Sequence, residues 1–233
     1  MIVIIILIIL TFYLIYNNIT LCEYKKDKLK YIKPEIIKKI YEMLKITDEI
    51  FNENNIEYWM CGGTMLGAVR HKGIIPWDDD GDIEVLEKYE SKIELLRDDF
   101  KQHNLTLMKT WFGFKIFPTN GQIIKNVKWK YPAVDIFIMS IQDNIITYKY
   151  DEAKKLFGKC YYDKDKIYPL EKYEFGPLSL QGISSNYVNK YLDRCYGNDW
   201  NEYAYREYDH ETEKHMEKVK IKLTDEDRMP AIY

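Results

Sequence analysis

Apolar and polar positions alternate in three different ways along this chain. From Met1 to Tyr16 the run MIVIIILIILTFYLIY carries no charged side chain, and Ile19, Leu21 and Cys22 prolong it past two asparagines. A run without a polar face does not suit the core helix of a soluble domain, whereas about 20 mostly apolar residues suit a bilayer span. Residues 1–22 are therefore expected to form a single-pass transmembrane anchor, with a signal segment as the alternative. Nothing basic precedes the run and no small-x-small cleavage motif follows it, which favours the anchor.

Beyond the run the spacing becomes that of a folded domain. Residues 23–34, with Lys25, Lys26, Lys28 and Lys30, read as a basic connector ending at Pro34. Ile36, Ile37, Ile40, Met43, Leu44, Ile46 and Ile50 recur at helical intervals, predicting a helix from Glu35 to Asn52. A short strand is expected over Ile56–Met60, ending at Gly62-Gly63, and Thr64 opens a new helix that stops near Gly73 and Pro76. Ile83, Val85 and Leu86 predict a strand, Glu87 to Gln102 a helix, and Leu105 to Met108 and Phe112 to Phe117 further strands. Ala133 to Met139 reads as another strand, and Thr147 to Cys160 and Ser184 to Tyr196 as helices. This order implies an α/β (α+β) domain over residues 35–200, a small mixed sheet flanked by helices. Residues 201–233 read as a polar C-terminal tail, with Glu202 to Lys222 a solvated helix or loose chain.

Composition narrows the picture. The 233 residues suffice for one substantial core. A formal net charge of -3 speaks against a nucleic-acid partner, which requires a clustered positive surface. Cys22, Cys61, Cys160 and Cys195 are scattered, form no C-x-x-C pair, and are expected as free, mostly buried thiols. Membrane sidedness stays open: the lysines after the anchor favour a cytoplasmic domain, while Asn18-Ile19-Thr20 and Asn104-Leu105-Thr106 fit the glycosylation acceptor pattern. His210 and His215 lie among Glu and Lys residues, so a solvated face is expected there rather than a metal site.

Candidate chemistry gathers in three places. Cys61-Gly62-Gly63-Thr64 is a glycine turn between a strand and a helix, where backbone N–H groups can approach an anion. Pro76-Trp77-Asp78-Asp79-Asp80-Gly81-Asp82-Ile83 concentrates four mutually repelling carboxylates, for which a bound divalent cation is the usual compensation. On a strand, Asp80 and Asp82 point to one face and can converge on one ion. Oxygen ligands suit Mg2+ or Mn2+, and the calcium loop fails because Ile83 and Tyr89 stand where Gly and Glu are required. Asp135, inside Ala133-Val134-Asp135-Ile136-Phe137-Ile138, is a lone acid in a buried strand. Such a group is costly unless paired, protonated or metal-bound, so it reads as a structural acceptor, a third ligand or a general base.

The ungapped stretch from Gly63 to Ile83, GTMLGAVRHKGIIPWDDDGDI, resembles the signature of the LicD/fukutin family, of the nucleotidyltransferase-fold superfamily. Val134-Asp135-Ile136-Phe137 resembles that family's second acidic strand, and Tyr191-Leu192 with Tyr196-Gly197-Asn198-Asp199-Trp200 its C-terminal motif. Gly81 departs from the pattern, which usually has an apolar β-branched residue there. The resemblance implies transfer of a phospho-alcohol, phosphocholine or ribitol or glycerol phosphate, from a CDP-linked donor such as CDP-choline to a glycan hydroxyl. It further implies Asp80, Asp82 and Asp135 as metal-binding and catalytic carboxylates, Gly62, Gly63 and Thr64 as the phosphate-facing turn, and Arg70 beside it. Lys115 is a further candidate for the phosphate. The alternatives are a nucleotidyltransferase releasing pyrophosphate, and a non-catalytic, membrane-anchored glycan-binding or scaffold protein that keeps the fold.

Overall fold

The computed structural model describes residues 2–233; Met1 and the side chains of Asn18 and Cys22, on which readings above fall, lie outside the described residues. The apolar N-terminal run is one helix, α1 (Ile2–Leu29). Its segment Ile6–Leu29, with a mean hydropathy of 1.6, is long and apolar enough to cross a membrane, and its apolar window is not packed inside the protein. Only the last turns enter the domain. Leu29 is fully buried and Lys25 Nζ pairs with Asp227 at 2.6 Å.

Helix α2 (Pro34–Glu53) opens on a proline, tolerated there because the first helical N–H has no partner to lose. Its buried stripe of Ile37, Ile40, Met43, Leu44 and Ile50 has the predicted helical spacing. Next come β1 (Tyr58–Met60), α3 (Gly62–Arg70) and β2 (Gly81–Leu86). The helix expected over Glu87–Gln102 is broken into a 3-10 turn (Glu87–Tyr89), α4 (Glu90–Leu95) and α5 (Arg97–Gln102). At Leu96 ψ reaches 13°, and this bend lets Ile93, Leu96 and Phe100 all face the core.

Strands β3 (Leu105–Lys109) and β4 (Gly113–Pro118) follow, then the two-residue strands β5 (Gln122–Ile123) and β6 (Lys130–Tyr131), and the central β7 (Val134–Gln142). The region expected as a helix from Thr147 divides into β8 (Ile145–Tyr148) and a shorter α6 (Asp151–Phe157). Its first part alternates, with Ile146 and Tyr148 buried between more exposed neighbours, which is the period of a strand. After β9 (Tyr162–Asp163), the hairpin β10 (Glu171–Phe175) and β11 (Leu178–Gly182), and α7 (Val188–Tyr196), the chain forms a second hairpin, β12 (Tyr203–Asp209) and β13 (Lys214–Lys222). This hairpin replaces the solvated helix or loose tail expected from Glu202. Ala204 and Arg206, two apart, are buried and fix its inner face.

The main sheet runs β1-β2-β7-β4-β3, with β8 and β9 continuing from the far end of β7. Among the described residues only β2 and β7 pair in parallel, and the other pairings of this sheet are antiparallel. One hydrophobic core extends from α2 across this sheet to α7, with Trp59, Phe114, Val134 and Leu192 fully buried. A mixed α/β fold with a small sheet between helices is therefore what the chain adopts. Cys160 and Cys195 are joined as a disulfide, Cα atoms 5.0 Å apart, correcting the expectation of free thiols. Thirty-five residues separate them in sequence, so only the packing of α7 against the segment after α6 brings them within bridging reach. Cys61 is a buried free thiol as expected.

Candidate active site

The site starts from strand register. β2 and β7 pair so that Asp82 lies opposite Asp135, and β7 and β4 pair so that Asp135 lies opposite Lys115. Three charged side chains thus form a row, acid–acid–base, across three neighbouring strands. Asp80 precedes β2 by one residue and closes the group: carboxylate oxygens of Asp80, Asp82 and Asp135 all lie within 4.8 Å of one another. Lys115 Nζ is 2.6 Å from Asp135 Oδ1, and both side chains are almost completely buried.

Gly81 sits inside this acidic run with Leu44 and Val134 packed over it. A Cβ there would meet side-chain carbons of both at 3.3 Å, so α2 and β7 press where the family pattern places a branched residue. The turn above the row makes a related use of glycine. Gly62 has φ +51°, and a Cβ on it would stand 2.7 Å from Asp82 Oδ2, so glycine meets both the left-handed backbone and the close carboxylate. Gly63 in the same way borders the Asp78 carboxylate. The Gly62 N–H donates to the Tyr191 hydroxyl at 3.0 Å, and the Asp82 N–H donates to Thr64 Oγ1 at 2.7 Å. Gly62 and Thr64 therefore anchor the turn to α7 and to the acidic strand. Arg70, at the far end of α3, donates to the carbonyls of Trp200 and Tyr203 and lies 6.0 Å from the Trp77 ring centroid.

So many carboxylates in one place resist ionisation. Withdrawal from water, followed by repulsion from Asp80, Asp135 and Asp78, holds the Asp82 carboxyl well above the usual carboxylate range. Asp78 is raised by burial and then by Asp80 and Asp79. Burial pushes Asp79 and Asp80 up to about 6 each. Asp135 is raised by burial although Lys115 opposes the shift. Burial works against the Lys115 ammonium, yet Asp135 and Asp80 hold it above its ordinary value. A divalent cation among Asp80, Asp82 and Asp135 would reverse the repulsion between them, and three carboxylates converging in a partly enclosed cleft suit Mg2+ or Mn2+. The donor set fits the ion.

Further residues reach the site, and one of them, His210, corrects the expectation of a solvated face, because the β12–β13 hairpin folds it back onto the acidic row. His210, in the β12–β13 turn, puts Nε2 3.2 Å from Asp80 Oδ2. Arg206 Nη2 lies 3.6 Å from Asp79 Oδ2. Glu84, two residues beyond Asp82 on the same strand face, is fully buried and accepts a hydrogen bond from Trp59 Nε1 at 2.7 Å; burial pushes it up to about 7. Alternation from Asp80 through Asp82 to Glu84 could have flagged Glu84, whereas nothing local marked His210. His210 and Arg206, with Asp80, Asp82 and Asp135, line a cleft of about 510 Å³ walled by Phe157, Tyr196, Trp200, Tyr203 and Tyr205, whereas Glu84 is enclosed in the core.

Comparison with known proteins agrees with this geometry. A sequence model described as LicD/FKTN/FKRP, nucleotidyltransferase domain, matches residues 55–182, a span holding the glycine turn and the whole acidic row. An uncharacterized protein of Rickettsia prowazekii is 33% identical over 165 residues, covering 71% of this chain and 56% of that protein. The lipopolysaccharide cholinephosphotransferase LicD of Haemophilus influenzae is 35% identical over 92 residues, 36% of this chain and 35% of its own. The ribitol 5-phosphate transferase FKRP of Homo sapiens is 31% identical over 68 residues, 29% of this chain and 14% of its own. The chain spans about half the length, or less, of the curated relatives it matches. Because the matched span takes in more than half of its residues, the chain belongs to the LicD/FKTN/FKRP nucleotidyltransferase-domain family.

Proposed function

We propose that this protein is a membrane-anchored, metal-dependent transferase that moves a phospho-alcohol, of the phosphocholine or ribitol or glycerol phosphate type, from a CDP-linked donor to a glycan hydroxyl. One observation carries the reading: Asp80, Asp82 and Asp135 bring carboxylate oxygens within 4.8 Å of one another on the floor of a cleft, in a chain of this family.

In this mechanism Asp80, Asp82 and Asp135 hold Mg2+ or Mn2+. When bound, the cation neutralises charge on the donor's pyrophosphate oxygens and on departing CMP. The turn at Gly62 and Gly63 brings α3's N-terminus, with its partial positive charge, to the same side of the cleft. Asp135 accepts the proton of the attacking hydroxyl. Lys115, engaged 2.6 Å away, holds that carboxylate in position and favours its charged form. Arg70 borders the phosphate region from the α3 end, its guanidinium oriented by the Trp200 and Tyr203 carbonyls. The Tyr196, Trp200, Tyr203 and Tyr205 wall offers flat aromatic surfaces for a nucleobase or a quaternary ammonium. Helix α1, whose described apolar side chains from Ile4 to Leu21 are exposed on every side, anchors the domain to a bilayer.

The test uses the full chain in detergent with Mn2+, a mixed glycan fraction as acceptor, and a panel of CDP-choline, CDP-ribitol, CDP-glycerol and UDP-sugars. Expected is CMP release from one CDP-alcohol, abolished by chelation and by Asp80→Asn. Release of pyrophosphate instead would move the assignment to nucleotidyl transfer, and failure to bind any nucleotide would leave the non-catalytic reading.

A further inference from the structure

The hairpin β12–β13 lies outside the segment matched by the family model, 55–182, yet its turn enters the acidic site. His210 Nε2 is 3.2 Å from Asp80 Oδ2. Two groups in neighbouring positions around one octahedral ion, each at about 2.1 Å from it, stand about 3 Å apart, so this separation suits a pair of ligands to a shared cation; His210 lies outside the cluster of Asp80, Asp82 and Asp135 and would draw in toward the ion from the Asp80 side. The other ring nitrogen is free: Nδ1 has no hydrogen-bond partner among the described residues. Metal-binding histidines usually turn that second nitrogen toward a carboxylate, and Glu213 Oε1 lies 3.9 Å from Nδ1.

Glu213 and the turn are themselves fixed. Trp129 Nε1 donates to Glu213 Oε1 at 2.9 Å, and the Tyr208 hydroxyl donates to Oε2 at 3.0 Å. The preceding residue, Asp209, accepts from Lys30 Nζ at the end of α1 and from Thr212 Oγ1, both at 2.9 Å. The turn that presents the imidazole to Asp80 is thus fixed through Glu213 and Asp209.

Building on the cation reading above, we propose that His210 is a fourth protein ligand of that cation, through Nε2, and that this nitrogen biases the site toward Mn2+ over Mg2+. Imidazole suits transition metals, while Mg2+ keeps to oxygen and water. The three carboxylates would bind either ion; the histidine discriminates.

Electron spin echo envelope modulation on Mn2+ bound to the full-length protein in detergent tests this. Expected is nitrogen modulation from one imidazole, converted to the nitrogen-15 pattern by labelling the four histidines of the unmutated chain, so the result does not depend on any variant folding. His210→Gln should lose the modulation and weaken Mn2+ binding by about tenfold or more, with a smaller change for Mg2+; His215→Gln should retain both. Mn2+ bound without nitrogen modulation, or modulation that survives in His210→Gln, overturns the histidine assignment and leaves the carboxylate site standing. No Mn2+ binding at all overturns the cation reading and this inference together.

Discussion

The floor of the cleft and the hairpin that closes over it hold their charged groups by different means. On the floor, Asp82, Asp135 and Lys115 are aligned by the register of β2, β7 and β4, strands whose intervening residues Ile83, Ile136, Phe114 and Ile116 are essentially inaccessible. A register slip there would turn every one of these side chains to the opposite face. The hairpin β12–β13 has no such sheet behind it, and two strands alone are marginal in water. It is held through Arg206, whose guanidinium donates to the carbonyls of Leu29, Lys30 and Trp77 at 2.5 to 3.0 Å, and through Lys30, paired to Asp209, while Lys25 pairs with Asp227 just beyond the hairpin. The lesson is that position on the floor comes from a ladder of backbone bonds, and position on the hairpin from a few charged contacts to the end of α1.

The largest expected effect lies on the floor. Asp82→Asn keeps shape and volume but removes a carboxylate at the centre of the row, and transfer should fall by about 10⁴-fold, roughly 5.5 kcal/mol of transition-state stabilisation. CMP release at saturating donor measures it, and a variant within tenfold of the parent would break the assignment of the floor.

Lys115→Met comes next. It leaves the buried Asp135 without its cation, and removal of one partner from a buried pair costs about 3–5 kcal/mol; urea unfolding in the presence of chelator should show the loss. Added Mn2+ should restore part of it, because an ion replaces the missing charge.

The packing behind both regions is pH-sensitive. His71, at the end of α3, is buried with Nε2 3.1 Å from the Asp227 carbonyl, and burial followed by the Arg70 charge pushes its pKa down from 6.5 to about 3. At this group the folded state binds fewer protons than the unfolded chain between those values, so the His71 contribution to stability is fully present above pH 6.5 and is lost as pH falls toward 3. At pH 5 the His71 share of the loss is about 2 kcal/mol. His71→Asn should flatten the dependence between pH 7.5 and 5 relative to the parent; parallel profiles would show that His71 does not carry it.

Lys30→Ala should do least. The lysine side chain is 39% exposed, and solvent-screened pairs contribute about 1 kcal/mol or less. Global stability should hardly move, while amide exchange over residues 209–214 accelerates as the turn loosens. Equal protection in both proteins would mean that Arg206 alone holds the hairpin.

Much of the floor was legible in the sequence. The acidic run at Asp78 to Asp82 and the lone acid Asp135 announced themselves by being costly unless compensated, and helical spacing marked α2 to within a residue at each end. Local pattern failed where two periods were mixed, as from Ile145 to Phe157, where a strand precedes a short helix. It failed again over Tyr203–Lys222, where tyrosines, lysines and glutamates masked a strand alternation carried by Ala204, Arg206, Val219 and Ile221.

By itself the sequence determined the apolar N-terminal helix, the glycine turn, the acidic strand and family membership, because each depends on residues close together in the chain. Tertiary structure alone decided that Asp82, Asp135 and Lys115 form one row, that Cys160 meets Cys195, and that His210 rests on Asp80. Strand pairing, helix docking and long-range ion pairs join residues tens to more than a hundred positions apart. No local periodicity encodes which distant partner each group will meet.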